Sequence, residues 1–144
     1  MTTSVATVST VDLELRSMFT SALEDLRRHR GGGALITEAL VAFGVSDADS
    51  LLTEIAARGG LIGVYDSNLL VGFGALHTVD PVTIMGLYVR NSNRRSHHAL
   101  ALVENLLSSE RPPVDAWALP GDRATKSLYE RAGWKARRLT MSAE

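Results

Sequence analysis

The apolar positions of this chain change period near its middle. From Asp12 to Leu26 they recur at helical spacing: Leu15, Met18, Phe19, Ala22, Leu23 and Leu26 form one stripe, while Glu14, Glu24, Arg27 and Arg28 lie off it. Gly31, Gly32 and Gly33 break that helix, and Ala34 to Phe43 reads as a short helix or turn. Ser46 followed by Asp49 resembles a capping box, opening an amphipathic segment (Leu51, Leu52, Ile55, Ala56) that ends at Gly59 and Gly60. Beyond Gly60 the pattern turns to strands. Residues 61–65 and 70–77 flank Asp66, Ser67 and Asn68 as a β-hairpin, and Asp80 and Pro81 turn the chain into a third strand at 82–89, completing an antiparallel meander. Residues 4–10 alternate weakly and predict a short first strand.

The last third alternates differently. Leu100, Val103 and Leu107, widened by Ala99, Leu102 and Leu106, predict a helix over 98–109 that Pro112 and Pro113 stop. A strand is expected at 114–119, a turn at Pro120 and Gly121, a helix capped by Asp122 and running through Ala132 with Gly133 as its C′ residue, and a final strand at 134–140. The helix between 82–89 and 114–119 is a crossover, which makes those strands parallel neighbours. The expectation is an α+β domain with α/β/α layers: a mixed, mostly antiparallel central sheet with helices on both faces, one domain over 1–144 whose first 60 residues form a helical N-terminal part. Trp117 and Trp134 are expected to fill the core, and Gly72 and Gly74 to leave room for a close neighbour or a bulge.

Composition narrows the partners. With 144 residues and 45% hydrophobic content, the chain can bury a real core. Fifteen basic and 16 acidic residues give a formal charge of -1, so no global field argues for nucleic acid or anionic lipid. The absence of cysteine excludes disulfides, thiolate metal sites and a cysteine nucleophile, and it suits a cytoplasmic location. The first residues lack a basic start followed by an apolar run, and no segment approaches the roughly 18 apolar residues of a membrane span; the chain is read as soluble and unexported. His97 and His98 are adjacent rather than on one helix face, so no metal site is expected.

The stretch richest in chemistry is Thr83 to Leu107, where a strand, a basic loop and a helix follow in succession. Such an order presents backbone N–H groups and the positive end of a helix dipole, and Arg94 and Arg95 add charge. An anion such as a phosphate or pyrophosphate is therefore expected at residues 94 to 100; the alternative is a solvated basic turn.

From Leu61 to Leu139 the sequence resembles the GNAT superfamily of acyl-CoA-dependent N-acetyltransferases. Two segments carry the likeness: Arg94, His97 and Ala99 stand at the specified places of a loop of pattern R/Q-x-x-G-x-G/A, and Asp122, Thr125, Tyr129, Gly133 and Trp134 follow N-x-x-A-x-x-x-Y-x-x-x-G-F. The phrase ALPGDRATKSLYERAGWKAR resembles a group of small actinobacterial members. The resemblance implies a splayed parallel strand pair at 82–89 and 114–119, with acetyl-CoA as co-substrate. Pantetheine would lie against Leu87, Tyr88 and Val89, and the pyrophosphate against Arg94, Arg95, Ser96, His97, His98, Ala99 and Leu100. Asp122 and Lys126 would lie toward the cofactor, and Tyr129 would act as general acid. The acceptor implied is a primary amine of a small molecule or peptide. Two departures stand out: His97 replaces the first loop glycine, and Gly86 occupies the place where many relatives carry a glutamate base. His77 is a candidate replacement base, though as a strand-end histidine it reads more readily as structural. These departures motivate an alternative, a catalytically degenerate acyl-CoA-binding or regulatory domain, and beyond it an interaction module that has lost the cofactor. A homodimer through a sheet edge or the C-terminal strand is a further expectation.

Overall fold

Asp12 begins the helical part by accepting a hydrogen bond from the Leu15 N–H at 2.9 Å, and α1 (Leu13–Arg27) follows it. The structure is a computed structural model that describes residues 2–79, 81–90, 97–136 and 141. Leu15, Met18, Phe19 and Leu23 are the buried side of α1. The segment read as a short helix or turn is a full helix, α2 (Gly32–Phe43), because Gly31 takes a left-handed conformation (φ 83°) that turns the chain sharply into it. α3 (Ala48–Ala57) is capped by Asp47, whose carboxylate accepts from the Ser50 N–H at 2.7 Å; Ser46 plays no part in the cap. Arg16 pairs with Asp49, joining α1 to the start of α3.

The first strand forms as β1 (Thr3–Thr7), and the meander as β2 (Leu61–Asp66), β3 (Leu69–His77) and β4 (Thr83–Val89). β2 and β3 join through Ser67 (φ 50°) and Asn68 (φ 72°), two consecutive left-handed residues, the two-residue turn whose twist suits a hairpin. After α4 (His98–Leu107) comes β5, and it is far shorter than the expected 114–119: Asp115–Ala116. The sheet runs β1-β2-β3-β4-β5, antiparallel throughout except for the parallel pair β4–β5. The last helix, α5 (Arg123–Arg131), precedes Gly133 (φ 95°). Residues 134–136 are irregular, and the rest of the expected final strand, 137–140, lies outside the described residues.

One sheet separates two apolar clusters. Leu15, Phe19, Ile36, Leu52 and Ile55 of α1, α2 and α3 meet Leu61, Phe73, Ala75 and Met85 on one face. Leu102, Val103 and Leu106 of α4, with Tyr129 of α5, meet Ile62, Leu76 and Ile84 on the other. Trp117 and Trp134 do not fill either core; each is half-buried and packs on the rim of one cluster. The strand glycines permit close approach. A Cβ on Gly74 would lie 3.2 Å from Leu102 of α4, so glycine here lets that helix settle onto the sheet.

Candidate active site

The site begins with a register defect. Between the pairs Leu76–Ile84 and Ala75–Gly86, β4 carries one residue more than β3, a β-bulge at Met85 and Gly86. β5 pairs with β4 just before this bulge, at Thr83–Asp115 and Ile84–Ala116, and the Trp117 N–H donates to the Ile84 carbonyl at 2.9 Å. Among the described residues no β4–β5 pairing follows it. Downstream, the Arg90 N–H donates to the Val71 carbonyl at 2.8 Å. Antiparallel alternation then makes Phe73 and Tyr88 the next hydrogen-bonded pair, and turns the N–H and C=O of Leu87 away from β3, toward the side β5 has left.

Two features flank this opening. On the α1–α2 face is a cavity of about 100 Å³, lined among others by Phe19, Ile36, Ala75, Gly86, Leu87 and Trp117. Among the described residues no charged side chain lines it. A Cβ built on Gly86 meets nothing within 4 Å, so the missing side chain is part of why this space exists. On the α4–α5 face, Tyr129 shares a cluster with Ile84, Leu87 and Ala116. Its ring is buried, stacked on Trp134 with centroids 5.6 Å apart, and its hydroxyl has no hydrogen-bond partner among the described residues. Burial, and secondarily the negative charge of Asp122, push this hydroxyl well above the ordinary tyrosine range, so it stays a protonated donor. Leu87 belongs to both the cavity and the Tyr129 cluster, so the two features meet across one strand residue.

The anion-loop residues divide. Arg94, Arg95 and Ser96 lie outside the described residues. His97 is the N-cap of α4 and adopts φ 66°, ψ 10°, the left-handed conformation that a glycine takes without penalty. The histidine keeps the glycine's backbone shape, and its side chain is exposed. Among the described residues no side chain caps α4. His98 is buried, and its Nε2 lies 3.4 Å from an Asp66 carboxylate oxygen, which ties the start of α4 to the end of β2. Ala99 and Leu100 continue the first turn of α4, half-buried. Replacing His97 with glycine removes the left-handed strain and is expected to stabilise the fold by about 1 kcal/mol, read in urea denaturation.

At the start of α5, the Asp122 carboxylate accepts from the Thr125 N–H at 3.1 Å and from the Thr125 hydroxyl at 2.6 Å, so it caps the helix; Lys126 is exposed one turn on. His77 meets the Phe43 ring at a tilt, with centroids 5.0 Å apart, and pairs in register with Thr83; it does not line the cavity. Three features had no clear sequence signal: the cavity, the unpartnered Tyr129 hydroxyl and the burial of His98. Only the small residues Ala22, Ala39 and Ala75, set with Gly86 on apolar faces, hinted at the first.

No protein-family model matches the chain, and no curated protein matches it in sequence. Solved structures do match in shape. A GNAT-family acetyltransferase from Bacillus cereus superposes with a TM-score of 0.64 at 13% identity, covering 97% of this chain and 87% of its own. The PaiA N-acetyltransferase of Thermoplasma acidophilum, in complex with coenzyme A, gives 0.61 at 12% identity, covering 97% and 94%. A ribosomal-protein-alanine N-acetyltransferase from Brucella melitensis gives 0.58 at 16%, covering 98% and 100%. At such identities the likeness concerns the fold, and the fold is the GNAT fold: a mixed five-stranded sheet with one parallel pair, β4–β5, between helical layers.

Proposed function

We propose that this protein transfers an acetyl group from acetyl-CoA to a primary amine by direct attack in a ternary complex. The observation that carries the reading is the buried hydroxyl of Tyr129, without a hydrogen-bond partner among the described residues, in one cluster with Leu87 and Ala116 where β4 and β5 end their pairing. Leaving such a hydroxyl without a partner costs about 1–3 kcal/mol, a cost relieved when an acceptor atom arrives beside it. The backbone of Leu87 and Val89 would hold the pantetheine arm as an added strand, with Tyr88 fixing their orientation through its pairing with Phe73. The first turn of α4, from His97 to Leu100, with Arg94, Arg95 and Ser96 before it, would hold the pyrophosphate. Asp122 would act by positioning α5, and Lys126 would stand near the cofactor's outer end.

Acetyl-CoA would supply the activated acyl carbon. As a C–N bond replaces the C–S bond, Tyr129 would donate its proton toward the departing sulfur, which is more basic in apolar surroundings than in water. Tyr129 then recovers a proton as the amine loses one to solvent. Among the described residues no carboxylate lines the cavity beside Gly86, so the amine would reach the carbonyl already neutral. This same lack favours the second reading, an acyl-CoA-binding domain without catalysis.

Calorimetry with CoA and acetyl-CoA separates these. Micromolar binding weakened about tenfold or more by Arg94→Ala, followed by transfer to any member of an amine panel, supports the enzyme. Binding without transfer leaves the second reading, and no binding at all removes both.

A further inference from the structure

We infer that the apolar cavity beside Gly86 is an acyl-chain pocket, and that the acyl group this protein binds best is longer than acetyl, in the range of four to six carbons. The inference rests on the proposed acyl-CoA reading and names which thioester the site fits. The cavity abuts β4 at Met85 to Tyr88, the segment beside which the thioester would lie, and runs beneath α1 and α2 between Phe19, Leu23 and Ile36.

Three observations favour an acyl chain over the acceptor as occupant. First, the described lining carries no charge, and its side-chain polar groups are limited to the Tyr88 hydroxyl and the Trp117 indole N–H. An amine that is protonated in water would have to shed its proton or its hydration to enter, whereas an alkyl chain gains from burial there. Second, the space is built in at the strand: Gly86 has open room where a Cβ would stand, and its register partner Ala75 also lines the cavity, so neither fills it. Third, the size fits a short chain. An apolar cavity of about 150 Å³ takes benzene, so the roughly 100 Å³ here has room for about four carbons by proportion. The chemistry of transfer is unchanged by chain length: the same C–S bond is exchanged for a C–N bond, with the same proton movements.

The test is a binding series on the wild-type protein by calorimetry with CoA, acetyl-CoA, butyryl-CoA, hexanoyl-CoA and decanoyl-CoA. Affinity is expected to rise by up to about fourfold for each methylene added beyond acetyl, to level off near hexanoyl, and to gain nothing further at decanoyl. Gly86→Leu, which places a side chain in the open room, is expected to abolish the gain, bringing the hexanoyl-to-acetyl affinity ratio to about one by removing the burial on which it depends. If CoA and acetyl-CoA bind but affinity is flat or falls from acetyl onward, the chain-length inference is overturned and the acyl-CoA reading stands. A gain that Gly86→Leu leaves intact places the chain elsewhere and overturns the pocket assignment. If CoA itself does not bind, both fall.

Discussion

Tyr129→Phe is expected to lower kcat by about 100-fold while leaving the ligand-free protein equally stable or slightly more so. The two effects pull apart because the hydroxyl has no partner among the described residues to lose in the free protein. Phenylalanine keeps the ring, its stacking on Trp134 and its place in the α4–α5 cluster, and removes one desolvated polar atom. A recovery of about 1 kcal/mol would raise the melting temperature by about 2–4 °C for a chain this long. A hydroxyl with a purely structural role predicts the reverse, a lower melting temperature with little change in rate. The pH dependence has a sign as well. The folded-state pKa is raised, so ionisation of this group adds no further cost below the ordinary tyrosine value of 10.0, and stability falls as pH climbs above it. The phenylalanine variant should lack that alkaline loss, which melting curves on either side of pH 10 would show.

The second large effect is expected at Gly72→Ala. A Cβ there would stand 2.3 Å from the Tyr88 carbonyl oxygen and 3.0 Å from the Val89 Cα, both backbone atoms of the neighbouring strand. Neither can swing aside as a flexible side chain does, so β3 and β4 must separate locally. The cost is about 2–3 kcal/mol, or a fall in melting temperature of about 4–12 °C. The displaced residues are those whose backbone is proposed to hold pantetheine. CoA affinity, measured well below the melting point, should therefore weaken by about tenfold or more, as misplacement of a positioning group costs of that order. Gly33→Ala is the matched control: it lies in α2, nothing stands within 4 Å of its Cβ, and a stabilisation of about 0.5–1 kcal/mol is expected. Equal losses in the two variants would show that glycine content, rather than the β3–β4 contact, is at issue.

The layered fold was legible because its elements are locally declared. The α1 stripe repeats at three and four residues, Ser67 and Asn68 supply a two-residue turn, and Pro112 and Pro113 follow α4 closely. What was not legible depends on partners distant in the chain. α2 opens with glycines and carries no side-chain cap, so nothing local marks it as a full helix; packing of Ile36, Ala39 and Phe43 supports it. Asp47 outcompetes Ser46 as the cap through its own contact with the Ser50 N–H. β5 shrinks to two residues because strand extent is set by the partner, and β4 turns away at its bulge. At the candidate site, the motif led to Tyr129 but gave no sign that its hydroxyl would lack a partner, since burial is a property of the assembled layers. His98 carries a similar lesson: in the motif it reads as a phosphate donor, and in the fold its side chain turns inward to Asp66.

The extra residue at Met85 and Gly86 also acts as a phase shift. A strand alternates its faces with period two, so everything after the insertion is written in the opposite phase from everything before it. Deleting Gly86 would restore unbroken alternation: Met85 would meet Ala75, while Leu87 and Tyr88 would keep their partners Gly74 and Phe73 and therefore their facings. The bulge thus lets a strand one residue too long for its neighbour keep its later side chains in place, and the loss of one residue here should cost the bend and leave the facings intact.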